Sequence, residues 1–332
     1  MAMKYSRILI SELGDPEVMR IVTEDLRDPA PNEVRVRTLA AGVAWADCMM
    51  RRGSYPAQPK LPFTPGYDVV GVVDRCGPGA NIPPGEMVAA LMIHGAYSEY
   101  VFLPQSELVP VPAGLDPAEA VCLVLNYVTA WQMLHRRAQV KSGDAILVHS
   151  AAGGVGTALL ELGRLAGLKM LGTASAPKHV LVASYGCEPI DYRAVDFVER
   201  LRQLQPAGVD FVFDPIGGWH WLQSGRCLKT GGKVIAFGSQ AALSATIKDR
   251  LADGFAAARL ILRNRFTFYT ITSEKKKHPQ HFRDDLATLL EKLARQEIHP
   301  VIADRLPWQQ AVEAHRRLEK GRVEGKLVLI FA

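Results

Sequence analysis

A chain of 332 residues with 48% hydrophobic and 22% charged residues can fill two domains with their own cores, which excludes a disordered or low-complexity protein. The net charge of +5 is mild and its Lys and Arg are spread along the chain, so it suits an anionic small molecule and offers no basic stripe for nucleic acid. Five irregularly spaced cysteines without a C-x-x-C pair argue against a disulfide framework or a structural zinc knot. No apolar run reaches the length of a membrane span, and MAMKYSRILI lacks the apolar stretch of a signal peptide, so the expectation is a cytoplasmic protein without a membrane partner.

In chain order, Tyr5–Ile10 and Val34–Ala41 read as strands separated by the turn Pro29–Glu33. Trp45–Arg52 reads as a short helix, followed by the proline-studded loop Gly53–Pro65. Tyr67–Arg75 is strand-like, with Gly71 marking a bulge or a close backbone approach. Met87–Met92 and Tyr97–Leu103 are two further strands, so the first part is mainly β. Asp116-Pro117-Ala118-Glu119 starts a helix expected to run to about Leu134.

The apolar run Ala145–His149, a glycine-rich turn and a helical pattern from about Val155 follow. Strand, glycine turn and helix are what a dinucleotide pyrophosphate needs, because the backbone must come close and the first helical N–H groups must face the phosphates. The G-x-G-x-x-G spacing reads Ala151-x-Gly153-x-x-Gly156, which makes Ala151, Gly153, Gly154, Val155 and Gly156 candidate cofactor residues. Strands at Lys169–Thr173, Glu188–Tyr192, Val209–Asp214 and Gly232–Gly238 alternate with helices at Pro177–Tyr185, Asp196–Gln203 and Trp219–Leu228. That alternation predicts a doubly wound parallel sheet. Phe266–Ile271 reads as a last strand and Lys275–His278 as a solvated loop before the amphipathic helix His281–Arg295. The tail holds a strand, a helix at Trp308–Glu319 and a strand at Lys326–Phe331, and is expected to fold back onto the first domain.

An NAD site places an acid at the end of the second strand to hold the ribose 2′-hydroxyl. Here the strand ends Thr173-Ala174-Ser175, with Lys178 beyond it and Tyr192 ending the third strand. A 2′-phosphate could take a charge-assisted bond from Lys178 and neutral bonds from Ser175 and Tyr192, which favours NADPH. Phe237 and Gly238 end a parallel strand where a nicotinamide ribose would lie. His94 and His149 read as lone histidines that pack or bond locally.

The segments GVAWADCMMRRGSY, LPFTPGYDVVGVV, GAYSEYVFLP, LNYVTAWQML, HSAAGGVG and FDPIGG occur in this order. Together they resemble the medium-chain dehydrogenase/reductase superfamily over essentially the full length, and within it the zinc-independent, zeta-crystallin-like quinone oxidoreductase branch. The resemblance implies a mainly β, GroES-like catalytic domain from 1–123 and 298–332, with a Rossmann NADPH-binding domain, 124–297, inserted in it. It also implies an active-site cleft at their junction and a homodimer paired through Phe266–Ile271. Zinc-dependent relatives carry Cys in the slot of Ala44 and His in that of Tyr67, and neither residue here replaces its ligand. Many quinone oxidoreductases carry Asn at Ala44, against the nicotinamide. Tyr55 matches the tyrosine assigned as proton donor in related enoyl reductases, although a turn next to Gly and Pro also uses tyrosine for shape. By the same resemblance Asn126 and Thr129 contact the cofactor, and Trp45, Tyr67 and Tyr127 line the substrate pocket. The function expected is hydride transfer from NADPH to a quinone or an α,β-unsaturated carbonyl without a metal. A 2-enoyl thioester reductase and a non-catalytic NADPH-binding protein are the alternatives.

Overall fold

The computed structural model describes residues 3–238 and 247–331, without the side chains of 247–250, 252 and 253. The chain divides into two units, 1–125 with 280–332, and 126–279.

The first unit is built on a seven-stranded sheet. Its strand order is Ile302–Pro307, Lys326–Ile330, Glu33–Val43, Asp68–Cys76, Met87–Leu91 and Val109–Pro110, with Tyr100–Pro104 also paired to Glu33–Val43. The eleven-residue strand Glu33–Val43 holds the unit together because two partners share one of its edges. Residues Glu33–Arg37 pair with Tyr100–Pro104, and Ala40–Val43 pair with Leu327–Ile330. The tail thus returns to the first domain. Gly71 lies at a register shift against Glu33–Val43, and a Cβ there would sit 2.3 Å from the Arg37 carbonyl oxygen, so the close approach expected of this glycine is present.

The second unit is a six-stranded parallel sheet in the order Cys187–Asp191, Lys169–Ala174, Ala145–Val148, Val209–Asp214, Leu228–Ala236 and Phe266–Phe268. Numbered along the unit this is 3-2-1-4-5-6, the doubly wound dinucleotide-binding arrangement. Leu147, Leu171, Val212 and Val234 of the sheet pack with Phe197, Leu201 and Trp221 of the covering helices in one apolar cluster. The α/β class with a separate β-rich domain is therefore the one expected.

Several local readings change. Met19–Asp25 is a strand pairing with Lys4–Ile10 that has no apolar alternation to betray it, since only Met19 is buried. The expected helix up to Leu134 is α-helical at Pro117–Cys122 and Val128–Trp131, and widens into π-helical turns at Leu123–Tyr127 and Gln132–Ala138. Phe266–Phe268 is shorter than expected because Thr270 caps a helix, Ile271–Lys277, by accepting the Ser273 N–H. The lysine run is the last turn of that helix rather than a loop, where positive charge meets the free carbonyls favourably. Helix Pro279–Ala294 belongs almost wholly to the first unit, not to the nucleotide half that was expected to reach residue 297. Arg283 fastens it there by donating to the Ser106 and Leu108 carbonyls.

Candidate functional site

In the second unit, strand Ala145–Val148 leads through Ser150, which has the left-handed φ of 54°, to Gly153 at the N-terminus of helix Gly154–Leu165. The N-cap residue, Gly153, has no side chain to cap this helix, so the N–H groups of its first turn can serve an outside acceptor. A Cβ on Gly156 would lie 2.3 Å from the Ser150 carbonyl oxygen, so only glycine lets the turn close. Alanine at the first fingerprint position is accommodated from across the sheet. Ala151 is fully buried and donates its N–H to the Thr173 carbonyl, and a Cβ on Gly172 would come within 2.8 Å of its methyl. This uncapped, close-approach turn fits a dinucleotide pyrophosphate.

No acid stands at the end of Lys169–Ala174. Ser175 and Lys178 are half-buried beyond it, and Tyr192 is 51% exposed beyond the neighbouring strand with Arg193 over its ring. Phe237 and Gly238 follow Leu228–Ala236, half-buried, with the Phe237 N–H donated to the Asp214 carbonyl. Asn126 and Thr129 are buried. Two side chains bond within the second unit. Tyr127 is buried and donates its hydroxyl to Glu161 at 2.6 Å, joining its helix to the one after the glycine turn. The Thr173 hydroxyl lies 2.9 Å from His149 Nδ1, directed into the protein.

His149 is accordingly not a lone histidine. Its Nε2 lies 3.1 Å from Ser224 Oγ, which donates to Asp214 at 2.6 Å, and His220 Nδ1 stands 2.7 Å from the same carboxylate oxygen. Burial pushes the His149 imidazole down to about 3. Burial would raise the Asp214 carboxyl, but the His220 hydrogen bond and the neighbouring imidazoles hold it below the usual carboxylate range.

In the first unit, Ala44 stands at the N-terminus of helix Trp45–Arg52. Asp47, three residues on, accepts the Ala44 N–H at 2.8 Å and the Gly66 N–H at 3.1 Å. This buried carboxylate therefore fixes the backbone beside both slots named for zinc, Ala44 and Tyr67. Burial drives its pKa up to about 7, against the pull of those backbone bonds. The hydroxyls of Tyr55 and Tyr67 are 2.8 Å apart with their rings edge to face. Burial raises the Tyr55 phenol above its ordinary value, with the Tyr67 hydrogen bond opposing the rise. The Trp45 indole N–H is buried and meets no acceptor among the described residues. Asp68 accepts from Lys326 at 2.6 Å, an ion pair in which both residues are at most 4% exposed.

A zinc ion does not fit the two named slots or their neighbour. They offer a methyl group, a phenol bonded to another phenol and a carboxylate bonded to a lysine, with neither thiolate nor imidazole. Asp47, the Asp68–Lys326 pair and the His149–Ser224–Asp214–His220 chain escaped the sequence reading. The one local sign was an acid at the third position of a short helix, in Ala44-Trp45-Ala46-Asp47.

The chain matches the family models described as "Alcohol dehydrogenase GroES-like domain" over residues 30–113 and "Zinc-binding dehydrogenase" over 186–329. It is 32% identical to the rat synaptic vesicle membrane protein VAT-1 homolog, covering 91% of this chain and 78% of the relative. It is 28% identical to human quinone oxidoreductase over 98% of this chain and 97% of the relative. The crystal structure of Escherichia coli quinone oxidoreductase complexed with NADPH superposes with a TM-score of 0.87 at 27% identity, over 98% and 100% of the two chains. Among the described residues no helix is long and apolar enough to cross a membrane. Fold and relatives agree on an oxidoreductase, and the chain belongs to the medium-chain dehydrogenase/reductase superfamily, in its zeta-crystallin-like branch.

Proposed function

We propose that the protein is an NADPH-dependent reductase of quinones or α,β-unsaturated carbonyls that works without a catalytic zinc. The observation that carries this reading is the pair of hydroxyls, Tyr55 and Tyr67, 2.8 Å apart, one of them in a metal-ligand slot. An alcohol dehydrogenase needs a Lewis acid to polarise its substrate, whereas an electron-poor acceptor needs only a donor for the oxygen that becomes negative. The bound nicotinamide supplies hydride. Tyr55, a phenol that burial makes still harder to ionise, donates a hydrogen bond or a proton to the acceptor's oxygen, and the Tyr67 hydroxyl holds the Tyr55 phenol in orientation. The buried Trp45 N–H offers a second donor of the same kind. NADPH is favoured over NADH by the missing acid after Lys169–Ala174 and by the cation at Lys178. Pairing of two copies through the edge strand Phe266–Phe268, where Phe268 is 48% exposed, and a cytoplasmic location complete the reading.

The experiment is steady-state reduction of a quinone panel and an enone panel with NADPH and with NADH. Turnover of one panel with NADPH is expected, and Tyr55→Phe lowers kcat on the order of 10²-fold while NADPH binding is kept. Tight NADPH binding with no turnover of either panel would replace this reading by a non-catalytic binding protein.

A further inference from the structure

Two histidines and an aspartate converge in the second unit, in residues that the hydride chemistry does not use. His149 directly follows strand Ala145–Val148, Asp214 ends strand Val209–Asp214, and His220 lies in the first turn of helix Trp219–Arg226. One donor atom from each lies within 4.8 Å of the other two. The far side of two of them is tied down independently. His149 Nδ1 meets Thr173 Oγ1 at 2.9 Å, and Asp214 Oδ1 accepts the Ile216 N–H at 2.7 Å. The two imidazole rings stand nearly perpendicular, 4.4 Å apart, and the His220 ring is stacked on Phe197.

Facing donors with an outer ring of hydrogen bonds that fixes their orientation are what a transition-metal site requires. We propose that His149, Asp214 and His220 form a binding site for one divalent ion of the zinc class, with the Ser224 hydroxyl beside it as a fourth donor. Two imidazoles and one carboxylate suit a borderline cation such as Zn²⁺ or Co²⁺ and do not suit Ca²⁺ or Mg²⁺, which take oxygen ligands. Coordination through His149 Nε2 leaves the ring proton on Nδ1, where Thr173 Oγ1 accepts it. Coordination through His220 Nδ1 leaves that ring's proton on Nε2, so neither neutral ring loses a proton. The site is separate from the dehydrogenase zinc slots at Ala44 and Tyr67, which belong to the other unit. Its effect is structural. It joins the residue before Ser150, where the glycine turn begins, to the Asp214-Pro215 segment that receives the Phe237 N–H.

The test uses the full chain, stripped with a chelator and titrated with Co²⁺ and then with Zn²⁺. One Co²⁺ per chain is expected, with visible d–d bands, no thiolate charge-transfer band, and displacement by Zn²⁺. Zn²⁺ raises the melting temperature, and His220→Ala weakens binding by at least about 10-fold and abolishes that rise. Histidine side-chain NMR of the unmutated protein supplies a second readout that needs no folded variant, with the His149 and His220 resonances shifting together on Zn²⁺ addition. No saturable binding, a thiolate band from the cysteines, unchanged affinity in folded His220→Ala, or shifts confined to other histidines would each overturn the proposal. None of these readouts depends on turnover.

Discussion

Replacing Lys326 by Met keeps most of the aliphatic stem in place and removes the ammonium that stands 2.6 Å from Asp68. Asp68 is wholly buried, so the variant leaves a carboxylate without its counter-ion inside the first unit. Breaking one side of a buried pair costs about 3–5 kcal/mol, a large part of the stability of an ordinary domain. The cost depends on pH. Burial already raises the Asp68 carboxyl, with Lys326 opposing that rise, so losing the lysine raises it further. A carboxyl whose folded-state pKa lies above its unfolded value binds its proton more tightly when folded. Lys326→Met therefore matches the parent below about pH 4, where both states are protonated, and loses stability as pH rises through the folded pKa. Adding Asp68→Asn removes the stranded charge and is expected to recover most of the loss. Urea unfolding at several pH values, with amide exchange read on strands Glu33–Val43 and Asp68–Cys76, measures all three proteins. A Lys326→Met protein as stable as its parent at pH 7.5, or a deficit that persists on acidification, would refute the reasoning.

Two further substitutions test the nucleotide half. Gly156→Ala puts a methyl 2.3 Å from the Ser150 carbonyl oxygen, so the turn must open; calorimetry should show dinucleotide affinity falling by at least about 10-fold while affinities for small acceptors are unaffected. Lys178→Ala should cost about 1–2 kcal/mol of NADPH affinity, roughly 10-fold, and leave NADH affinity unchanged; equal losses for both cofactors would remove Lys178 from the 2′-phosphate site.

What could be read in the chain was what one segment decides alone. The strand, glycine turn and helix at Ala145–Leu165 form one local unit, and its glycine pattern is set by contacts within a few residues of Gly156. Ala44 and Tyr67 were informative for a similar reason, since a methyl or a phenol in a ligand slot excludes its chemistry whatever surrounds it. The His149 cluster needs three strand ends and a helix brought together, so a window around His149 shows only one histidine in an apolar run. Lys326 is a residue type almost always exposed, and only the register that pairs the next residues, Leu327 and Val328, with Val43 and Gly42 brings its ammonium to Asp68. A Cβ on Gly42 would come within 2.0 Å of Lys326 Cε, so that glycine makes room for the lysine, a function no sequence pattern announces. The bond from Tyr127 to Glu161 was not legible either, because it joins two helices across 34 residues of chain and the widened turn at Leu123–Tyr127 departs from the regular 3.6-residue period.

The pairing of Leu327–Ile330 with Ala40–Val43 carries a consequence for biogenesis. Among the described residues, strand Ile302–Pro307 reaches the sheet through Lys326–Ile330, so the first unit's sheet stays incomplete until Lys326–Ile330 has left the ribosome. By then every strand of the parallel sheet, up to Phe268, has emerged. The segment translated in the middle can thus finish its architecture while the earliest one still waits with an open edge at Ala40–Val43, the stretch most in need of shelter during synthesis.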